Sequence, residues 1–77
     1  MKKKFIISFP KGQVREPWNY QLIKKYEIIP NIVAGSISAE KAILGYEFDG
    51  EPENIDQAAE YLRSKGVTVE PVDEIRL

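Results

Sequence analysis

Twelve carboxylates and eleven basic side chains carry the formal charge of this 77-residue sequence, which contains no cysteine and no histidine. The missing residue types remove disulfides, iron–sulfur ligation, thiolate nucleophiles, Cys/His zinc sites and the commonest general base. Ser8, Ser36 and Ser38 lack a histidine to activate them, so a histidine-based serine triad is ruled out. Glu53, Asp56 and Glu60 recur at helical spacing, but a solvated helix face accounts for that pattern without acid–base chemistry. Asp49-Gly50-Glu51 lacks the further alternating oxygens of a calcium loop, and Lys11-Gly12-Gln13 is too short to cradle a phosphate. No catalytic residue, metal ligand or cofactor site is assigned, and the chain reads as non-enzymatic.

Charge and length narrow the classes further. A net charge of −1 gives no footprint for nucleic acid, which calls for a basic excess on one face. Lys2-Lys3-Lys4 is the one charge run and reads as the solvated end of a strand. No apolar run approaches the roughly 20 residues that span a bilayer. The basic start leads into an apolar run that Pro10 cuts after about five residues, shorter than a signal peptide requires. A soluble, cytoplasmic protein without membrane insertion is expected. With 43% apolar residues, the chain can build one small core.

The elements that would position any site follow from periodicity. Phe5 to Phe9 is a β-prone run stopped by Pro10 and Gly12. Pro17 suits the first turn of a helix on which Trp18, Leu22 and Tyr26 recur every four residues, with Ile23 widening the stripe. Ile28 to Gly35 is β-rich around Pro30, and the proline places that strand at a sheet edge. Ser38 to Lys41 forms a hairpin connection to a strand over Ala42 to Phe48, with Leu44, Tyr46 and Phe48 on one face. Asp49-Gly50 turns the chain into a second helix bearing Ile55, Ala58, Ala59 and Leu62, with Gly66 as its stop. Val67 to Glu70 is the last strand, ended by Pro71, and residues 73–77 show no periodicity.

Strand, helix, strand, strand, helix, strand is the split βαβ order of an α+β, ferredoxin-like βαββαβ sandwich. It predicts a four-stranded antiparallel sheet with both helices on one face. The expected core comprises Phe5, Ile7, Phe9, Trp18, Leu22, Leu44, Tyr46, Phe48, Ile55, Ala59, Leu62, Val67 and Val69. The other face keeps Ile6 and Ile43 for solvent or for association.

Candidate contact residues sit where the chain enters the first helix. Free N–H groups at a helix amino end suit a carboxylate, and Arg15 could pair one as a bidentate fork; a free surface arginine is the other reading. Glu16 and Trp18 flank the same point, Trp18 as ligand platform or as rim aromatic. Asn31 is unusual in a β-prone run and suits either ligand contact or a bulge beside Pro30.

Phe9-Pro10, Glu16-Pro17, Pro30-Asn31-Ile32-Val33-Ala34-Gly35, Gly45-Tyr46, Ala58-Ala59-Glu60-Tyr61-Leu62 and Lys65-Gly66-Val67-Thr68-Val69-Glu70 together resemble the NIL domain. That family is named for an Asn-Ile-Leu in its second strand, where this chain has Asn31, Ile32 and Val33. The resemblance covers about residues 3–72, so residues 1–77 form a single NIL-like domain with a short tail at 73–77. It implies a ferredoxin-like fold and, as in the modules ending methionine importer ATPases, methionine binding by paired domains. Other members are fused to iron–sulfur ferredoxins, and Val69-Glu70-Pro71-Val72 is similar to those. Neither machine is present here, so a stand-alone copy is expected.

The resemblance implies a methionine-like amino-acid ligand at Asn31, Ile32 and Val33 and a homodimer interface. The helix-end argument adds Arg15, Glu16 and Trp18 as ligand-binding candidates. The alternative is an adaptor that docks on a separate ferredoxin, transporter or sulfur-metabolism protein through the open sheet face or edge strand.

Overall fold

Alternation of apolar residues builds the sheet, and every-fourth-residue stripes build the helices above it. The computed structural model describes residues 1–38 and 40–77, so Ala39 of the expected hairpin connection lies outside the described residues. The elements are β1 (Lys2–Pro10), α1 (Trp18–Tyr26), β2 (Ile29–Ile37), β3 (Lys41–Asp49), α2 (Pro52–Ser64) and β4 (Thr68–Val72). The four strands form one antiparallel sheet in the order β2-β3-β1-β4. The ferredoxin-like arrangement anticipated above is therefore the fold, with β2 at an edge as Pro30 suggested.

Phe5, Ile7 and Phe9 alternate inward from β1, and Ala42, Tyr46 and Phe48 from β3. They meet Trp18 and Leu22 of α1 and Ile55, Ala58, Ala59 and Leu62 of α2. Phe5 and Phe48 touch at the centre with ring centroids 5.0 Å apart.

Local signals set the ends of the helices. Pro52 opens α2, where a missing N–H removes no bond. Gly66, at φ 84°, closes it in a Schellman arrangement: the Gly66 N–H donates to the Arg63 carbonyl and the Val67 N–H to the Leu62 carbonyl. In the β1–α1 loop, Gly12 at φ 92° allows a turn in which the Gln13 N–H donates to the Pro10 carbonyl. α1 ends without glycine; Glu27 takes the left-handed conformation at φ 55°.

Five expectations need correction. Pro17 caps α1 and lies just before its first residue. Ile23 is 52% exposed: it lies about 100° around the helix from Leu22, beyond the face that α1 presents to the sheet. Leu44 is half-buried, because it faces an open groove between β2 and α1. Ile28 is buried although it precedes β2, since it packs where the chain passes Gly50. Pro71 lies inside β4, opposite Phe5, which an edge strand tolerates because one side needs no donor.

The carboxyl-terminal segment forms no helix or strand but makes a contact that its sequence did not announce. On the face of the sheet away from the helices, Ile75 lies against Gly45 so closely that a Cβ there would collide with its Cγ2.

Candidate functional site

A groove lies between edge strand β2 and α1. Its floor is Phe9, Ala42, Leu44 and Tyr46; Ile32 and Ile37 line it from β2, and Val14, Glu16, Pro17, Trp18, Asn19 and Tyr20 from the loop and helix. The volume is about 430 Å³. Gly35 helps to shape the sheet beside it, since Leu44 leans into the space that a Cβ at Gly35 would take, with Cδ2 only 2.8 Å away.

Trp18 is the fixed wall. It is 7% exposed, stacks on Phe9 with centroids 5.7 Å apart and meets Tyr61 edge-on at 6.3 Å. Its indole N–H donates to the Gln13 carbonyl at 2.8 Å, which ties the β1–α1 loop to the helix. Tyr46 is the polar point of the floor: its hydroxyl donates to Asn19 Oδ1 at 2.7 Å. Burial pushes the Tyr46 pKa up to about 12, so the hydroxyl keeps its proton and remains a donor. Glu16 stands at the rim, and one of its oxygens accepts from Gln21 Nε2 at 3.3 Å.

The six sequence-derived residues do not form one cluster. Ile32, Glu16 and Trp18 come together in the groove. Arg15 lies around the corner, in a hollow with Lys11, Gly12, Val14 and Ser38. Asn31 pairs with Glu47 and therefore points to the opposite face from Ile32, which pairs with Tyr46. Val33 is the extra residue of a bulge between Ile32 and Ala34, and it is 56% exposed. Asn19, Ile37 and Leu44 were not anticipated as lining residues. A spacing signal existed only for Leu44, on the inward face of its strand.

A larger hollow of about 550 Å³ lies beside Lys2, Lys3, Lys4, Pro71, Val72 and Asp73. Two of its lysines already face acids, Lys2 with Glu47 and Lys3 with Asp56, both at 3.9 Å. Among the described residues no group of three or more Asp or Glu side chains is gathered to hold a metal ion. No helix there is long and apolar enough to cross a membrane. What the groove offers is apolar walls, a carboxylate at the rim, and a tyrosine–asparagine pair on the floor.

The NIL domain model matches residues 4–71. This chain belongs to the NIL domain family. Within the NIL family assignment, 68 aligned residues are 37% identical to the methionine import ATP-binding protein MetN of Protochlamydia amoebophila (strain UWE25). That alignment covers 83% of this chain and 20% of the relative, so the chain spans about a fifth of that protein's length. The NIL fold here is also similar to the crystal structure of the C-terminal domain of an ABC transporter ATP-binding protein from Enterococcus faecalis. The TM-score is 0.74 at 24% identity, over 95% of this chain and 86% of that one, a likeness of fold.

Proposed function

We propose that this NIL domain is a non-enzymatic, ligand-binding regulatory module whose ligand is a methionine-like amino acid. The observation that carries the reading is the groove between β2 and α1, apolar on its walls and acidic at its rim. An apolar side chain would lie along Ile32, Leu44 and Trp18, and the ligand ammonium would face Glu16. Methionine suits such a groove because an unbranched, polarizable thioether fills irregular apolar space. The name of the MetN relative makes methionine the first ligand to test. Pairing of two domains through the β2 edge belongs to the same reading.

Trp18 is the only tryptophan, so its emission reports on the groove directly. Titration of L-methionine, followed by that emission and by calorimetry, should saturate. Glu16→Gln should weaken binding by about tenfold, the weight of one charge-assisted hydrogen bond. Ile32→Asp should abolish it, whereas Arg15→Ala should leave it unchanged. Absence of heat and of any emission change at millimolar ligand, with the fold intact, would reject the reading.

One further observation favours an adaptor as the second reading. β2 is nine residues long, has no strand on its outer side among the described residues, and exposes Ile29, Ile32, Val33 and Ile37. Such an edge can accept an extended segment of another protein by β-augmentation. If methionine fails, a peptide partner captured in a manner sensitive to Val33→Pro would take its place.

A further inference from the structure

The side of the sheet away from the helices carries a notch. Gly45 sits in central strand β3, paired with Ile6 of β1 and Ala34 of β2, and its missing Cβ leaves room on the outer face. Ile75 fills that room. To reach it, the chain leaves β4 after Val72 and crosses β1, passing over the face that carries Ile6 and Ile43. Both isoleucines are half-buried, and Gly45 is buried.

The hold on this segment is narrow. Among the described residues no hydrogen bond or ion pair joins 73–77 to the rest of the chain; its one polar contact, Arg76 to Glu74 at 2.8 Å, is internal. A single half-buried isoleucine must therefore offset the ordering of several backbone units. Ordering several residues costs more than half-burying one isoleucine returns, so the segment is held only weakly. We propose that residues 73–77 are a removable cover of the open sheet face, with Ile75 as a plug in the Gly45 notch. The face then has a covered form and an uncovered form.

Hydrogen exchange of the full chain tests this together with a dye that reports apolar surface. Amides 74–77 should exchange at most about 100-fold more slowly than an unstructured peptide, while β3 amides near Gly45 exchange far more slowly. Ile75→Ser should raise anilinonaphthalene sulfonate fluorescence roughly threefold or more with the far-ultraviolet spectrum unchanged. Gly45→Ala, which closes the notch from the sheet side, should do the same. Tail amides as protected as those of β3 would overturn the proposal. So would unchanged dye binding in both variants, or loss of the folded spectrum in Ile75→Ser, since the segment would then be no cover or not a removable one.

Discussion

At the scale of single residues, the Tyr46–Asn19 hydrogen bond joins stability to the groove. A buried hydroxyl with a good acceptor contributes roughly 1 kcal/mol net, so Tyr46→Phe should lower stability by about that amount at neutral pH, measured by urea unfolding. The pKa adds a pH signature. Unfolding returns Tyr46 from about 12 to its ordinary 10, so between those values the unfolded chain binds fewer protons than the folded one. Stability is therefore fully present below pH 10 and is lost as pH rises towards 12, by up to about 1.4 kcal/mol per pH unit. Tyr46→Phe should flatten that decline. An equally steep decline in the variant would show that other groups cause it.

At the scale of elements, the two helix ends make opposite demands on their residues. α2 closes on Gly66, for which a positive φ is free, and α1 closes on Glu27, for which it is costly. Gly66→Ala should destabilise by about 1 kcal/mol or more, whereas Glu27→Gly should stabilise by roughly 0.5–1 kcal/mol. For a domain of this size the second change corresponds to a rise in Tm of about 2–8 °C in calorimetry. α2 was legible in full because its stripe, its Pro52 and its Gly66 agree with one another. α1 was legible only in part: its periodicity named Trp18 and Leu22 as inward, but Ile23 as well. Only the shape of the sheet beneath α1 settles how wide a stripe it buries. The edge strand shows the same limit. Pro30 gave the edge, whereas the bulge at Val33 comes from register against β3, which no residue in β2 announces.

At the scale of the whole molecule, fifteen buried hydrophobic residues among the described ones form one cluster, and none of its members is charged. A chain of this length is stable by roughly 4–12 kcal/mol, scaled per residue. Removing a large central side chain costs a comparable amount. Phe48→Ala, at the meeting point of β3 with β1, should lose about 3–5 kcal/mol and leave a substantial unfolded population at 37 °C. Circular dichroism melting checks this, and a loss below 1 kcal/mol would mean that the core collapses around the vacancy. The many ion pairs at the rim are exposed and contribute little by comparison, so added salt should change the Tm only slightly.

The sequence alone determined the element order, the antiparallel sheet with an exposed edge, most of the core and the absence of cysteine or histidine chemistry. Those properties are local: they follow from periodicity, turn residues and composition, each readable within a dozen positions. Tertiary structure alone decided which candidates share a site. Glu16, Trp18 and Ile32 meet where β2 and α1 flank one groove. Asn31 is parted from its neighbour because successive strand residues face opposite ways, and Arg15 turns away at the loop. It also decided that Ile75 lies on Gly45, thirty positions earlier in the chain. A contact of that kind depends on the sheet order and on a missing side chain opposite a tail without periodicity, and no local pattern records either.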